Sequence, residues 1–130
     1  MIEIIKFKTN KEKSEFPLIK KRLKIVLEDM AQYFFKKGYD FIITDLLEEE
    51  GESEKLKRVS VSHKDGRAAD LRVRHLPKEF IQEIMAHFSK KYEGWSAISA
   101  VSGKPNLIIY HNNGNGIHFH IQIRPYKEEI

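Results

Sequence analysis

The hydrophobic positions between residues 16 and 37 recur at intervals of three and four, which is the period of a helix with one buried face. Pro17 suits the first turn of such a helix, and Gly38 suits its C-terminal end. We therefore predict a helix over 16–37 that packs its apolar stripe against the core. The stripe consists of Ile19, Leu23, Val26, Leu27, Met30, Ala31, Phe34 and Phe35.

A second helical stripe follows Pro77, which is placed to begin the helix, and Gly94 is placed to end it. Its buried face is predicted to contain Phe80, Ile84, Phe88 and Tyr92, with Ile81 and Met85 beside them. His75, before this helix, is predicted to be a loop residue. His87, within it, is predicted to be an exposed residue of the helix.

Shorter apolar or alternating segments predict strands. They cover residues 1–8, 39–44, 57–62, 70–73, 106–110 and 117–123, and the first is expected at a sheet edge. Residues 9–15 are polar and predict a connection, and residues 95–101 predict a strand or the wall of a cleft. The loop 111–116 then predicts a hairpin that ends at Pro125. Together these elements predict one α+β domain over 1–130, with an antiparallel sheet and helices on one side.

The composition is that of a soluble globular protein, since 41% of the 130 residues are hydrophobic and 32% are charged. The absence of cysteine excludes disulfides, thiol catalysis and cysteine-bound zinc. Any metal must therefore be bound by histidine, aspartate or glutamate. The longest apolar run is far shorter than a membrane span, so we expect no membrane partner.

The charges predict solvated surfaces rather than a nucleic-acid site. The net charge of +4 is mild, and the lysines are interleaved with glutamates. We therefore expect no nucleic-acid partner. The acidic stretch 45–57 predicts a solvated loop, with a lid beside a cleft as the alternative, and residues 126–130 form a charged tail.

The candidate chemistry begins with two histidines on one predicted strand. His118 and His120 alternate with Ile117 and Phe119, so both imidazoles should lie on the face opposite the apolar side chains. Such a pair is by itself more often a half-exposed strand face than a metal site. His63 and Asp70 are seven positions apart, and a loop can bring both to one point.

We interpret His63, Asp70 and His120 together as the ligands of a zinc site with an open position for water. Two histidines and an aspartate also suit iron, manganese or cobalt. His111, at the rim of the predicted hairpin, is the alternative to His118 for proton transfer or substrate contact.

These residues stand in a longer pattern, Val61-Ser62-His63-Lys64-Asp65-Gly66-Arg67-Ala68-Ala69-Asp70, followed by His118-Phe119-His120. The pattern resembles Ser-x-His-x-x-Gly-x-Ala-x-Asp and the later His-x-His of the zinc D-alanyl-D-alanine carboxypeptidases. That superfamily also includes lysostaphin-type endopeptidases and the hedgehog signalling domain. The resemblance extends from about Phe41 to Pro125 and is specific at the ligand positions. It implies a hedgehog-like or DD-peptidase-like fold of a small phage or bacterial member.

The resemblance also implies roles for individual residues. His63, Asp70 and His120 correspond to zinc ligands, and His118 to the partner histidine that orients or protonates the reacting groups. Arg67 and Arg72 are candidates for the substrate-binding arginine, although both are equally explicable as surface charges. Two departures matter, because Val61 replaces the usual serine and Ile117 replaces the glutamate that serves many members as general base. A histidine must then be the base, or the activity is altered or lost.

The function implied is zinc-dependent hydrolysis of an amide bond in peptidoglycan stem peptides, as in a DD-carboxypeptidase or an endopeptidase such as an endolysin. A catalytically silent binding or virion module of the same fold is one alternative. The other is a structural domain whose histidines merely decorate a strand. The first residues lack the layout of a signal peptide, so we expect cytoplasmic synthesis and action at the cell wall after lysis or as part of a virion.

Overall fold

The described part of the chain forms five strands and three α-helices. The computed structural model describes residues 3–47, 65–99, 102–113 and 116–126. Two short 3-10 turns, Phe16–Leu18 and Glu93–Trp95, extend the helical segments. The elements in chain order are β1 (Ile5–Phe7), α1 (Asn10–Glu15), α2 (Lys21–Lys37), β2 (Phe41–Asp45), β3 (Ala68–Arg72), α3 (Lys78–Lys91), β4 (Ile108–Asn113) and β5 (Gly116–Gln122).

The sheet has the strand order β1-β2-β3-β5-β4, with β1 at one edge as predicted. The pairs β2–β3, β3–β5 and β5–β4 are antiparallel, but β1 pairs with β2 in parallel. The prediction of a purely antiparallel sheet is therefore wrong at this edge. Parallel neighbours require a long crossover, and here α1 and α2 carry the chain from β1 to β2. The fold is α+β with a mixed sheet.

The core lies between one face of the sheet and the two long helices. Helix α2 contributes its predicted stripe from Leu23 to Phe34, and α3 contributes Phe80, Ile84 and Phe88. The strands contribute Phe41, Ile43, Ala69, Leu71, Ile108, Phe119 and Ile121. Phe35 was predicted in the α2 stripe but is 59% exposed. As the next residue after the buried Phe34, it lies on a different side of the helix, away from the core.

Residues 9–15 do not form the predicted polar connection but contain a short helix. The N-terminus of this helix is capped by Thr9 and Glu12: the Glu12 carboxylate accepts a hydrogen bond from the Thr9 backbone N–H at 2.7 Å. The Thr9 side chain in turn accepts one from the Lys11 N–H at 3.2 Å. This Thr-x-x-Glu pattern is a capping box, which the polar composition had obscured. Because α1 and the turn at Phe16–Leu18 intervene, the long helix begins at Lys21 rather than at residue 16.

The ends of the two long helices differ in type. Gly38 ends α2 in the left-handed conformation, with a φ of 85°, as predicted. Helix α3 ends at Lys91, before the predicted Gly94, and the chain continues as a 3-10 turn. Beyond it, the segment from residue 95 makes single bridges, Ser96 with Ile123 and Ile98 with Pro105. Of the two predictions for this segment, a strand or the wall of a cleft, the strand is therefore wrong for its described residues.

The C-terminal hairpin is confirmed, but its loop is shorter than predicted. Strand β4 continues through Asn113, and Asn113 pairs with Gly116. His111 was predicted to lie in a loop at the rim and lies within β4 instead, opposite His118. Pairing with β5 extends β4 through these residues, although their local sequence favours a turn.

Several predictions fall outside the described residues. They concern most of the acidic stretch 45–57, the strand 57–62, the ligand His63 and the end of the charged tail. Within the described part of the chain, no helix is both long enough and apolar enough to span a membrane.

Candidate functional site

The face of the sheet opposite the helices carries two cross-strand rows of polar residues. Asp70 of β3 pairs with His120 of β5, and Arg72 pairs with His118. On the other side of β5, His118 pairs with His111 of β4. Because side chains alternate along a strand, these residues lie opposite the core face that holds Leu71 and Phe119. The prediction that His118 and His120 share a face is confirmed.

The centre of the site is a contact between Asp70 and His120. Asp70 Oδ1 lies 3.0 Å from His120 Nδ1. Both residues are nearly buried, with 6% and 8% of their surface exposed. Buried polar groups require partners, and here each group supplies one to the other. The pair brings together two of the three residues predicted to bind zinc.

Gln122 holds the other nitrogen of the His120 ring. Its Oε1 lies 3.1 Å from His120 Nε2, and its Nε2 donates to the backbone carbonyl of Asn106 at 3.1 Å. The sequence pattern predicts no role for Gln122. The available signal was its position, two residues after His120 and therefore on the same face of the strand.

Three imidazoles meet on this face. The rings of His111 and His118 stack with centroids 5.3 Å apart and an interplanar angle of 30°. The ring of His111 also meets that of His120 edge-on, with centroids 5.8 Å apart. His111 and His118 are half-buried, so both remain reachable from solvent. Two further imidazoles, the side chains most often used as general bases, thus stand beside the Asp70–His120 pair.

The two candidate arginines have different surroundings. Arg67 is bound at both ends of its guanidinium, because it contacts the Asp65 carboxylate at 3.0 Å and donates to the Ile123 carbonyl at 3.0 Å. Its side chain is only 11% exposed. Arg72 is half-buried beside His118. Its side chain makes no hydrogen bond or ion pair within the described ranges. Arg67 fastens β3 to the chain after β5, whereas Arg72 is able to meet a ligand.

The donor atoms of the pair suit a metal ion. Carboxylate oxygen and imidazole nitrogen are both common zinc ligands. Two such atoms at ~2.1 Å from one tetrahedral ion are about 3.4 Å apart, so Asp70 Oδ1 and His120 Nδ1, at the 3.0 Å of a hydrogen bond, would move apart slightly to bind one. Within residues 3–47, 65–99, 102–113 and 116–126, no three histidine, aspartate or glutamate side chains form a metal-binding group. The remaining predicted ligand, His63, lies outside those ranges.

The two other described histidines lie where the sequence predicted. His75 is in the turn before α3, where its Nε2 lies 2.9 Å from the Asp40 carbonyl oxygen. His87 is exposed on α3, and its ring packs 5.0 Å from that of Tyr33. Neither belongs to the site.

A cavity of about 1210 Å³ lies at the β1 edge of the sheet. It is lined by residues of β1, α1 and α2, among them Phe7, Lys13 and Glu28, and by no histidine. Its lining offers no imidazole for proton transfer, whereas three imidazoles meet on β4 and β5. We therefore assign the candidate site to the polar sheet face.

Comparison with known proteins adds no relative, because no protein-family model, curated protein or solved structure matches this chain.

Proposed function

We propose that this chain is a zinc-dependent peptidase that hydrolyses an amide bond in peptidoglycan stem peptides. The reaction would be that of a DD-carboxypeptidase or an endopeptidase, and the fold would be of the hedgehog or DD-peptidase type. The observation that carries the proposal is the 3.0 Å contact between Asp70 Oδ1 and His120 Nδ1 on the polar sheet face. The substrate class follows from the resemblance of the motif around His63 and Asp70.

His63, Asp70 and His120 would hold the metal. Bound zinc lowers the pKa of a water ligand and polarises a carbonyl oxygen. The burial of Asp70 and His120 favours this role, because water competes poorly for donor atoms that are more than nine-tenths buried. Aspartate and histidine would also accept iron, manganese or cobalt, so metal identity is part of the test.

His118 would remove the proton from the attacking water and return it to the leaving amine. It lies two residues from His120 on the same face of β5, and imidazole is the side chain most often used as a general base. The ring of His111 packs against it and restricts its orientation. His111 is the alternative base, since it lies within the same group of rings.

The missing glutamate is consistent with this assignment. Ile117 occupies the position where many members of the resembled superfamily carry the base, and it packs against the apolar core. Alternation along β5 directs residue 117 to the face opposite His118. A glutamate at 117 would therefore not reach the polar face in this register, whereas a histidine at 118 does.

Arg72 would bind the carboxylate or carbonyl of the substrate. Its side chain lies on the same face as Asp70 and His118. A guanidinium binds a carboxylate through two parallel hydrogen bonds, which orients the substrate as well as attracting it. Arg67 is the weaker candidate, since Asp65 and the Ile123 carbonyl already hold it.

Cleavage of purified peptidoglycan and of a synthetic stem peptide tests the proposal. We expect zinc-loaded protein to release a new amine, chelation to abolish the release, and added zinc to restore it. The variant His120→Ala should be inactive under all three conditions. Zinc binding without any cleavage, but with retention on cell walls, would instead identify the silent binding module that the absence of a glutamate at Ile117 favours.

A further inference from the structure

We infer that Gln122 is a positioning residue that fixes the orientation and tautomer of His120, so that Nδ1 is the atom that binds the metal. This inference rests on the proposed function. It adds a residue outside the motif, together with the Asn106 backbone that holds it. The basis is the direction of two hydrogen bonds, each of which can run only one way.

The first bond fixes the amide of Gln122. The carbonyl oxygen of Asn106 can only accept, so the atom 3.1 Å from it must be the Gln122 amide nitrogen. A reversed amide would set two oxygens against each other. The Gln122 oxygen is therefore the atom that faces His120.

The second bond then fixes the imidazole. Gln122 Oε1 lies 3.1 Å from His120 Nε2 and can only accept. Nε2 must therefore carry a hydrogen. The other nitrogen, Nδ1, lies 3.0 Å from Asp70 Oδ1 and donates to that carboxylate in this structure, so it is the nitrogen at which a cation could replace a hydrogen. A cation in place of that hydrogen would be bound by both Nδ1 and Oδ1.

The backbone of Gln122 is anchored on both sides. Its N–H donates to the Leu107 carbonyl at 2.8 Å, and its carbonyl accepts from the Ala97 N–H at 3.3 Å. The side chain thus extends from a fixed point. Partners of metal-binding histidines that are held in this way fix the ring and its tautomer, and their loss typically weakens metal binding about 10- to 100-fold.

Zinc affinity of matched variants tests the inference. We expect Gln122→Leu to weaken zinc binding about 10- to 100-fold, because no acceptor remains for the Nε2 hydrogen. Gln122→Glu keeps an acceptor for Nε2 but loses the donor to the Asn106 carbonyl, so it should recover only part of the affinity. The control Gln82→Leu removes an exposed glutamine of α3 and should bind zinc like the wild type.

A spectroscopic measurement on the unaltered protein gives an independent readout. In zinc-loaded protein labelled with 15N, the His120 ring should show a metal-bound Nδ1 and a protonated Nε2. A metal-bound Nε2, or equal zinc affinity of Gln122→Leu and wild type, overturns the role of Gln122 while the proposed function stands. A wild-type protein that binds no zinc overturns both.

Discussion

Asp70 and His120 lie directly opposite each other on adjacent antiparallel strands, with Oδ1 3.0 Å from Nδ1, although 50 residues separate them in the sequence. The same register sets Leu71 opposite Phe119 on the core face. A shift of one residue would turn the polar set toward the helices and the apolar set toward solvent. The packing of the core therefore fixes the geometry of the candidate site.

The first prediction concerns metal content. We expect about one zinc per chain in wild-type protein. His120→Ala and Asp70→Ala should each lose most of it, because each removes a donor atom from the pair. Elemental analysis after dialysis against trace zinc measures this. His87→Ala, which changes an exposed histidine of α3, should retain the full content. Equal zinc in all four proteins would exclude the site.

The second prediction separates the two candidate bases. His118→Ala should lower kcat about 100-fold or more, the usual range for loss of a general base, without loss of bound zinc. His111→Ala should lower kcat less than about tenfold, because it removes only a ring that packs against His118. Steady-state cleavage of a stem peptide measures both variants. The reverse order of effects would assign the base to His111.

The third prediction distinguishes the two arginines. Arg72→Ala should lower kcat/KM about 10- to 150-fold, equivalent to losing ~1.5–3 kcal/mol of hydrogen bonding to a charged group. The thermal midpoint of this variant should change little, since the Arg72 side chain makes no hydrogen bond or ion pair in the described ranges.

Arg67→Ala serves as the counterpart. It breaks the contacts with Asp65 and with the Ile123 carbonyl, so its main effect should be on stability. Comparing kcat/KM with the thermal midpoint for both variants checks the assignment. A catalytic loss confined to Arg67→Ala would transfer the substrate-binding role to that residue.

The fourth prediction concerns pH and the contact between the long helices. Partial burial raises the pKa of Asp29, but hydrogen bonds from Lys91 at 2.5 Å and from Tyr92 at 2.6 Å outweigh it and hold the pKa below its usual range. A lowered pKa stabilises the fold above the unfolded-state value of about 3.9. That stabilisation is lost as the pH falls through the folded-state value.

Asp29→Asn should therefore reduce the free energy of unfolding by about 1 kcal/mol at neutral pH and by progressively less below about pH 4. Urea unfolding at several pH values measures the difference. Asp40→Asn, which removes a partner from the exposed ion pair with Lys6, should have a smaller effect at neutral pH. If the loss caused by Asp29→Asn did not vary with pH, the lowered pKa of Asp29 would not be a source of stability.

Much of the local structure could be predicted from the sequence. The stripe from Leu23 to Phe34, the left-handed Gly38 and the shared face of His118 and His120 all follow from short-range periodicity and backbone chemistry. The errors also have local causes. The polar composition of residues 9–15 concealed a capping box, and the turn-forming residues after His111 concealed the continuation of β4.

Which residues share a face within each element follows from the amino-acid sequence alone, because side-chain direction repeats along one strand or helix. Other relationships arise only in the folded chain. Strand β1 runs parallel to β2, and Asp70 meets His120. His111 stacks on His118, and Gln122 reaches Asn106. These relationships depend on strand order and register. Both are set by burying apolar side chains from distant parts of the chain in one core, and no local pattern contains that information.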